Sequence, residues 1–344
     1  MTANYVVRTV LGPVPADELG VTLTNETLLS VFPGAELAPD ISMNQSEIFA
    51  TLKEKLEDFR RAGGQTIVDT SGMFHGRDPW MYRTLSQVTG VHIIASTGLG
   101  PEKLLGGYFT TPQSNPPTPW PAEKFAGLFI KEIEEGMVVP RVERAGFPGI
   151  VTSIAERTGI TEIEANLFQA CALTAEATGV PISVQYGATP EEDLAIITAS
   201  GTAANRVVVT GLDRKEATDE QRLAVAKAGA YVGISYIGWG EEHGYVQDNE
   251  RVRIIQTLIK AGYAERILLS SSATGVAKGH DVKNLSFADV LICFVPQLRE
   301  AGVTDAHIDT LLVQNPQRFL ATVDGYDVAN TETAWQQIFS PVQF

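Results

Sequence analysis

His75, in the string MFHGRD, is the most attractive proton carrier in the chain, because imidazole titrates near neutral pH. A loop histidine on the surface is the plainer reading of the same residue. A second concentration of chemistry lies in the string IGWGEEHGYVQD at residues 237–248, where Trp239, Glu241, Glu242, His243 and Tyr245 set aromatic surface beside titratable groups. A small-molecule pocket has that composition, and so does a solvated lid with a few apolar anchors. Zinc-type sites need imidazole, thiolate or carboxylate donors brought close together. The five histidines, His75, His92, His243, His280 and His307, are scattered, and none forms a short-spaced ligand pair.

Other nucleophile systems leave little trace. No G-x-S-x-G, G-x-x-x-x-G-K or C-x-x-C string occurs. Ser270, Ser271 and Ser272 have no base beside them in sequence, so a serine nucleophile requires folding to bring His75, His243 or His280 to it. Lys278 and His280 follow the last apolar run, where they bind an anion or stand in solvent. Glu156 and Arg157 follow an earlier run and reach the pocket or remain solvated. Arg77 and Asp78 brace their loop by an ion pair, and Asp69 tethers neighbouring loops.

The elements that must position these groups alternate regularly. Short β-branched runs at residues 21–27, 66–70, 92–97, 149–154, 182–186, 207–211, 231–236 and 267–270 are separated by amphipathic stretches. Repeated βα units of this kind make a parallel sheet, and eight of them favour a closed (β/α)8 TIM barrel over an open doubly wound sheet. Helices are expected at 46–62, 122–135, 162–177, 216–228, 249–261 and 287–301, with Gly63, Gly179, Gly262 and Gly302 as stops behind four of them. The proline-rich stretch 106–121 and the stretch 237–248 are expected as rim loops, and rim loops after strands build the pocket of such barrels. One domain over residues 1–344 is expected, with a short N-terminal β segment and a C-terminal helical tail.

Composition narrows the partners. The chain has 344 residues, 44% hydrophobic and 19% charged, enough apolar material for a large core. A formal net charge of -15 repels phosphate backbones and anionic lipid, so neither nucleic acid nor a membrane is an expected partner. The two cysteines, Cys171 and Cys293, fall in apolar helical stretches and are expected as buried, inert thiols. No basic leader with an apolar core and no long uninterrupted apolar stretch is evident, which gives a cytoplasmic expectation.

Several strings, VRTVLGPVPADELGVTLTNETLL, GGQTIVDTSGMFHGRDPWMYRTLSQVTGVHIIASTG, RVVVTGLDR and AGYAERILLS among them, resemble the phosphotriesterase family of the amidohydrolase superfamily over nearly the whole chain. The resemblance implies a phosphotriesterase-like barrel and a homodimer. Members hold two divalent metals with a His-x-His pair on the first strand, a carboxylated Lys or Glu on the fourth, His on the fifth and sixth, and Asp on the eighth. At those places this chain carries Asn25 and Thr27, Thr152, Gln185, Gly211 and Ser272. Neutral amides and hydroxyls do not hold two divalent cations, so neither a metal nor another cofactor is expected. A comparison slipped by a residue or two would hide relocated ligands.

The resemblance also points to proton carriers away from the metals. An Asp just after the sixth-strand ligand corresponds to Asp213, and Tyr236 corresponds to a His at the end of strand seven. A carboxylate and a phenol on one cavity serve as general acid and base when the site shifts them toward neutrality. The structural alternative is that Asp213 pairs with Arg214 and Tyr236 packs the rim. Asn25, Thr27, Gln185, Ser272, Glu156, Trp239 and His243 are expected to hold the substrate. The expectation is a metal-independent enzyme acting on a small organic molecule by elimination, cyclisation, isomerisation or ester or lactone opening. A catalytically silent binding protein, and a metal hydrolase with relocated ligands, are the alternatives.

Overall fold

The computed structural model describes residues 5–105, 110–111, 118–139 and 143–322. Along the chain, β1 (Val6–Thr9) and β2 (Gly12–Pro15) make an antiparallel hairpin, followed by β3 (Thr22–Val31), α1 (Gln45–Arg61), β4 (Thr66–Asp69) and α2 (Pro79–Thr89). Next come β5 (His92–Ile94) and β6 (Ser96–Leu99), the short pair β7 (Thr110–Thr111) and β8 (Thr118–Pro119), and α3 (Ala122–Glu135). A second short pair, β9 (Met137–Val139) and β10 (Glu143–Ala145), precedes β11 (Ile150–Ile154), α4 (Glu162–Thr178), β12 (Ile182–Gln185) and α5 (Pro190–Thr198). The remainder is β13 (Val207–Thr210), α6 (Asp219–Lys227), β14 (Tyr231–Ile234), α7 (Asp248–Lys260), β15 (Ile267–Leu269), β16 (Thr274–Lys278), α8 (Val295–Glu300), α9 (Asp305–Asp309) and α10 (Asn315–Leu320).

Two parallel arcs make the barrel wall, β15-β14-β13-β12-β11-β6 and β16-β3-β4-β5. Ala95 alone separates β5 from β6, so the arcs join there as one continuous strand. At the other seam the Ser270 hydroxyl, just past β15, accepts the Thr24 N–H at 2.7 Å and the Asn25 N–H at 2.8 Å. The result is a (β/α)8 TIM barrel whose runs are those the sequence marks. The amino end is plugged: Val7 of the hairpin and Phe319 and Leu320 of α10 pack on Val68, Ile94, Ile150, Val208 and Leu268. A barrel closed below has its opening at the carboxyl ends of the strands.

Several elements differ from expectation for local reasons. β3 runs on to Val31 because β16, which has no alternating pattern, pairs with it from Thr274 opposite Thr27 to Lys278 opposite Val31. α2 and α5, both unexpected, start at Pro79 and Pro190, the first-turn position that needs no N–H. Asp78 caps α2 by accepting the Met81 N–H at 3.0 Å rather than pairing with Arg77. The expected helix at 287–301 becomes a π segment, Val290–Phe294, followed by α8, since Pro296 cannot supply an N–H to the regular ladder. Cys171 is buried on α4 as expected, whereas Cys293 is exposed on the outer face of that π segment, correcting the reading of two buried thiols. Residues 106–109 and 112–117 of the proline-rich rim stretch, and the tail 323–344, lie outside the described residues. No helix among the described residues is long and apolar enough to cross a membrane.

Candidate active site

A cavity of about 280 Å³ opens at the carboxyl end of the barrel, lined among others by Asn25, Thr27, His75, Gln185, Tyr236 and Ser272. A wider groove of about 930 Å³ lies at the amino end, beside Arg206, Tyr231 and Arg266. Its Arg206 is committed to the carbonyls of Gly179, Phe319 and Ala321, so the smaller cavity is the one where reactive groups converge. Thr152 and Trp239 also stand on its wall.

On one side the polar groups form a chain. The Thr70 hydroxyl donates to Asn25 Oδ1 at 3.1 Å, and Asn25 Nδ2 donates to the Ser272 hydroxyl at 2.8 Å. Ser272 has φ 48, a left-handed conformation costly for a residue with a Cβ. Glu26, fully buried behind it, holds that turn: its carboxyl accepts the Ser271 N–H at 2.8 Å and the Ala273 N–H at 2.5 Å, one on each side of Ser272. Burial pushes the Glu26 carboxyl up to about 8, against the downward pull of those N–H groups. Asp69, also buried, accepts the Leu28 N–H at 2.7 Å and the Tyr82 hydroxyl at 3.0 Å, the tethering role its place in sequence suggests.

Across the cavity, the Tyr236 hydroxyl donates to Gln185 Oε1 at 2.5 Å. Its ring stacks on Tyr245, with centroids 3.9 Å apart and planes 17° from parallel. Trp239 meets the Tyr236 ring edge-on at 5.7 Å, and its indole N–H donates to the Ser271 carbonyl at 2.7 Å, pinning the strand-seven loop over the pocket.

Asp213 stands behind this wall, off the cavity. It accepts the Tyr236 N–H at 2.9 Å and pairs with Arg251 at 2.8 Å, both side chains fully buried. Arg214, the partner weighed from sequence, instead lies 4.3 Å over the Tyr186 ring and donates to the Tyr186 and Gly187 carbonyls. Glu156 pairs with Lys103 at 3.0 Å and His243 with Glu242 at 3.1 Å; neither lines the cavity. Asp213, Glu156 and His243 thus stand apart from the group the fold assembles, which comprises Asn25, Thr27, His75, Gln185, Tyr236, Trp239 and Ser272.

His75 lines the cavity, and burial pushes its imidazole below the ordinary value while a hydrogen bond to the Gly100 backbone opposes the shift. Its Nε2 is buried without a partner. The loop that carries it is anchored by Arg77, which makes a buried pair with Glu132 at 2.7 Å. Sequence reasoning passed over Ser30 and Thr274, both on the cavity wall. They belong to the β3 and β16 extension, which exists only because the two strands pair.

The donor set does not fit a pair of divalent metals. Asn25, Thr27, Thr152, Gln185 and Ser272 offer neutral oxygen and nitrogen, and a Cβ at Gly211, whose φ is 80, would stand 3.3 Å from Arg214 Nε. Among the described residues no group of three or more His, Cys, Asp or Glu is placed to hold a metal ion.

Comparison with known proteins agrees with this architecture. The model of the phosphotriesterase family matches residues 5–320. The chain is 27% identical over 355 residues to the N-acetyltaurine hydrolase of Danio rerio, covering 91% of this chain and 97% of that protein. It is 26% identical over 306 residues to the phosphotriesterase homology protein of Escherichia coli strain K12, covering 88% and 98%. Among solved structures it superposes on a mutant organophosphorus hydrolase from Deinococcus radiodurans with a TM-score of 0.80 and 25% identity, over 91% of this chain and 97% of that one. Together these support an enzyme of hydrolase-like character.

Proposed function

We propose that this chain, which belongs to the phosphotriesterase family, is a metal-independent enzyme that opens a small, partly apolar ester, lactone or amide by acid/base chemistry. Relatives named as hydrolases favour bond opening over elimination or isomerisation. The observation that carries the reading is the Tyr236 hydroxyl, set 2.5 Å from Gln185 Oε1 in a cavity lined by the uncharged Asn25, Thr27, Thr152 and Ser272. A substrate oxygen that takes the place of Gln185 Oε1 receives the same proton. In a pocket with few competing waters such a donor stabilises developing negative charge more than it does in bulk solvent.

Three roles follow. Tyr236 polarises or protonates the substrate oxygen, and His75, on the cavity wall and kept uncharged at neutral pH by burial, is the proton acceptor. Asn25, Thr27 and Ser272 orient the substrate, with Trp239 closing the apolar side. Asp213 becomes a positioning residue, because both its oxygens serve backbone N–H groups and Arg251 rather than the cavity.

The test is elemental analysis of protein grown with added zinc and cobalt, joined to ester hydrolysis before and after chelation. Chelator-resistant turnover with no stoichiometric metal is the expected result. About two equivalents of metal retained, with activity that disappears on their removal, would defeat the reading.

A further inference from the structure

We propose that Ser30 is a nucleophile and His280 its general base, so that the cavity opens its acyl substrate through a covalent ester on Ser30. Ser30 lines the cavity, and its hydroxyl lies 2.8 Å from Nε2 of His280, an exposed residue. That is the spacing at which an imidazole takes a proton from a hydroxyl that attacks a carbonyl. The proposal rests on the metal-independent reading and names the group that replaces a metal-bound water.

The fold builds this pair from residues 250 apart in sequence. β16 lies beside β3 with Ala277 opposite Ser30, and the Phe32 N–H donates to the Lys278 carbonyl at 2.9 Å. Gly279 then turns with φ 79 at a point where a Cβ would meet Ala35 Cβ at 2.6 Å, bringing His280 back over Ser30. The Phe32 ring stands 6.4 Å from the imidazole, tilted by 51°. The Val31 N–H donates to the His75 carbonyl at 2.9 Å, which fixes the His75 loop beside Ser30. Thr27 and Thr274, paired across the same two strands and both on the wall, offer hydroxyl donors to the carbonyl oxygen.

The chemistry balances without a further reagent except water. With His280 protonated on Nδ1, Ser30 Oγ bonds to the substrate carbonyl carbon and its proton passes to Nε2. Collapse of the tetrahedral intermediate breaks the bond to the leaving alcohol or amine, which takes that proton. A water molecule then attacks the ester carbon, gives its proton to His280, and releases the acid as the proton returns to Ser30. The substrate class is a small carboxylic ester, lactone or amide.

The probes are p-nitrophenyl acetate and a fluorophosphonate, each added to the full chain in the presence of chelator and followed by intact mass and peptide mapping. The expected result is one adduct, on the peptide containing Ser30, absent in Ser30→Ala and formed about 100-fold or more slowly in His280→Gln. Mapping on the unaltered protein keeps the test valid if either variant folds poorly. No adduct with either probe, or an adduct on another residue, overturns the proposal. In that case chelator-resistant hydrolysis of the same ester would show metal-independent turnover proceeding without a covalent step.

Discussion

The Asp213 carboxylate and the Arg251 guanidinium meet at 2.8 Å with both side chains fully buried, directly behind the main chain of Tyr236. Arg251 also donates to the Trp239 carbonyl at 2.8 Å and to Asp248 at 2.7 Å, so one cation fixes both rings of the cavity's aromatic side. Removing one member of a buried pair leaves the other charge uncompensated. Arg251→Ala is therefore expected to lower unfolding stability by about 3–5 kcal/mol. Asp213→Asn should cost less, since Arg251 keeps Asp248. Urea unfolding of the two variants gives the order, and equal losses would count against it.

Tyr236→Phe removes one oxygen and leaves the stacked ring in place. Turnover should fall about 100- to 10,000-fold, while stability changes by about 1 kcal/mol, the worth of one hydrogen bond beside an open cavity. Steady-state kinetics in chelator, paired with denaturation curves, measure both. Unaltered kinetics would remove the phenol from the reaction.

Glu26 makes stability depend on pH. Its carboxyl is raised from 4.5 to about 8 on folding, so between those values the folded chain binds a proton that the unfolded chain lacks. Its contribution is complete below 4.5 and is lost as pH rises through about 8. The slope is about 1.4 kcal/mol per pH unit inside that window. Glu26→Gln should flatten this part of the stability profile. A profile that keeps its slope in the variant would assign the effect to another group.

His75 acts as a base only when uncharged, and burial sets its imidazole below the ordinary 6.5. Activity is then expected to be level near neutral pH and to fall on the acid side of that value. His75→Gln should lower the plateau, which a pH–rate profile reports. A plateau that does not move would remove His75 from the reaction.

Restoring one metal-ligand type should not restore a metal site. Gly211→His puts a side chain at φ 80 with its Cβ 3.3 Å from Arg214 Nε, so a loss of about 1–3 kcal/mol is expected. Added zinc should leave its melting temperature where it is, since a ligand stabilises only the state that binds it. A rise of several degrees with zinc would contradict the donor argument.

The periodicity of apolar runs by itself determined the barrel: eight β-branched segments with helical stretches between them have one economical closure, and each run forms a strand close to where it is marked. The residues that the resemblance sets at the family's ligand positions, Asn25, Thr27, Thr152, Gln185, Gly211 and Ser272, are also read as uncharged from the sequence. Which carboxylates face the cavity was decided only by tertiary structure. Glu26 within β3, Asp69 at the end of β4 and Asp213 just past β13 each turn into backbone N–H groups of neighbouring segments, because a buried carboxyl group must find donors and the adjoining turns and strands supply them. Tertiary pairing also decided the meeting of Ser30 with His280 and of Tyr236 with Gln185. Such contacts depend on strand register and on turns between distant segments, and no local pattern in the chain encodes the distance between side chains that far apart.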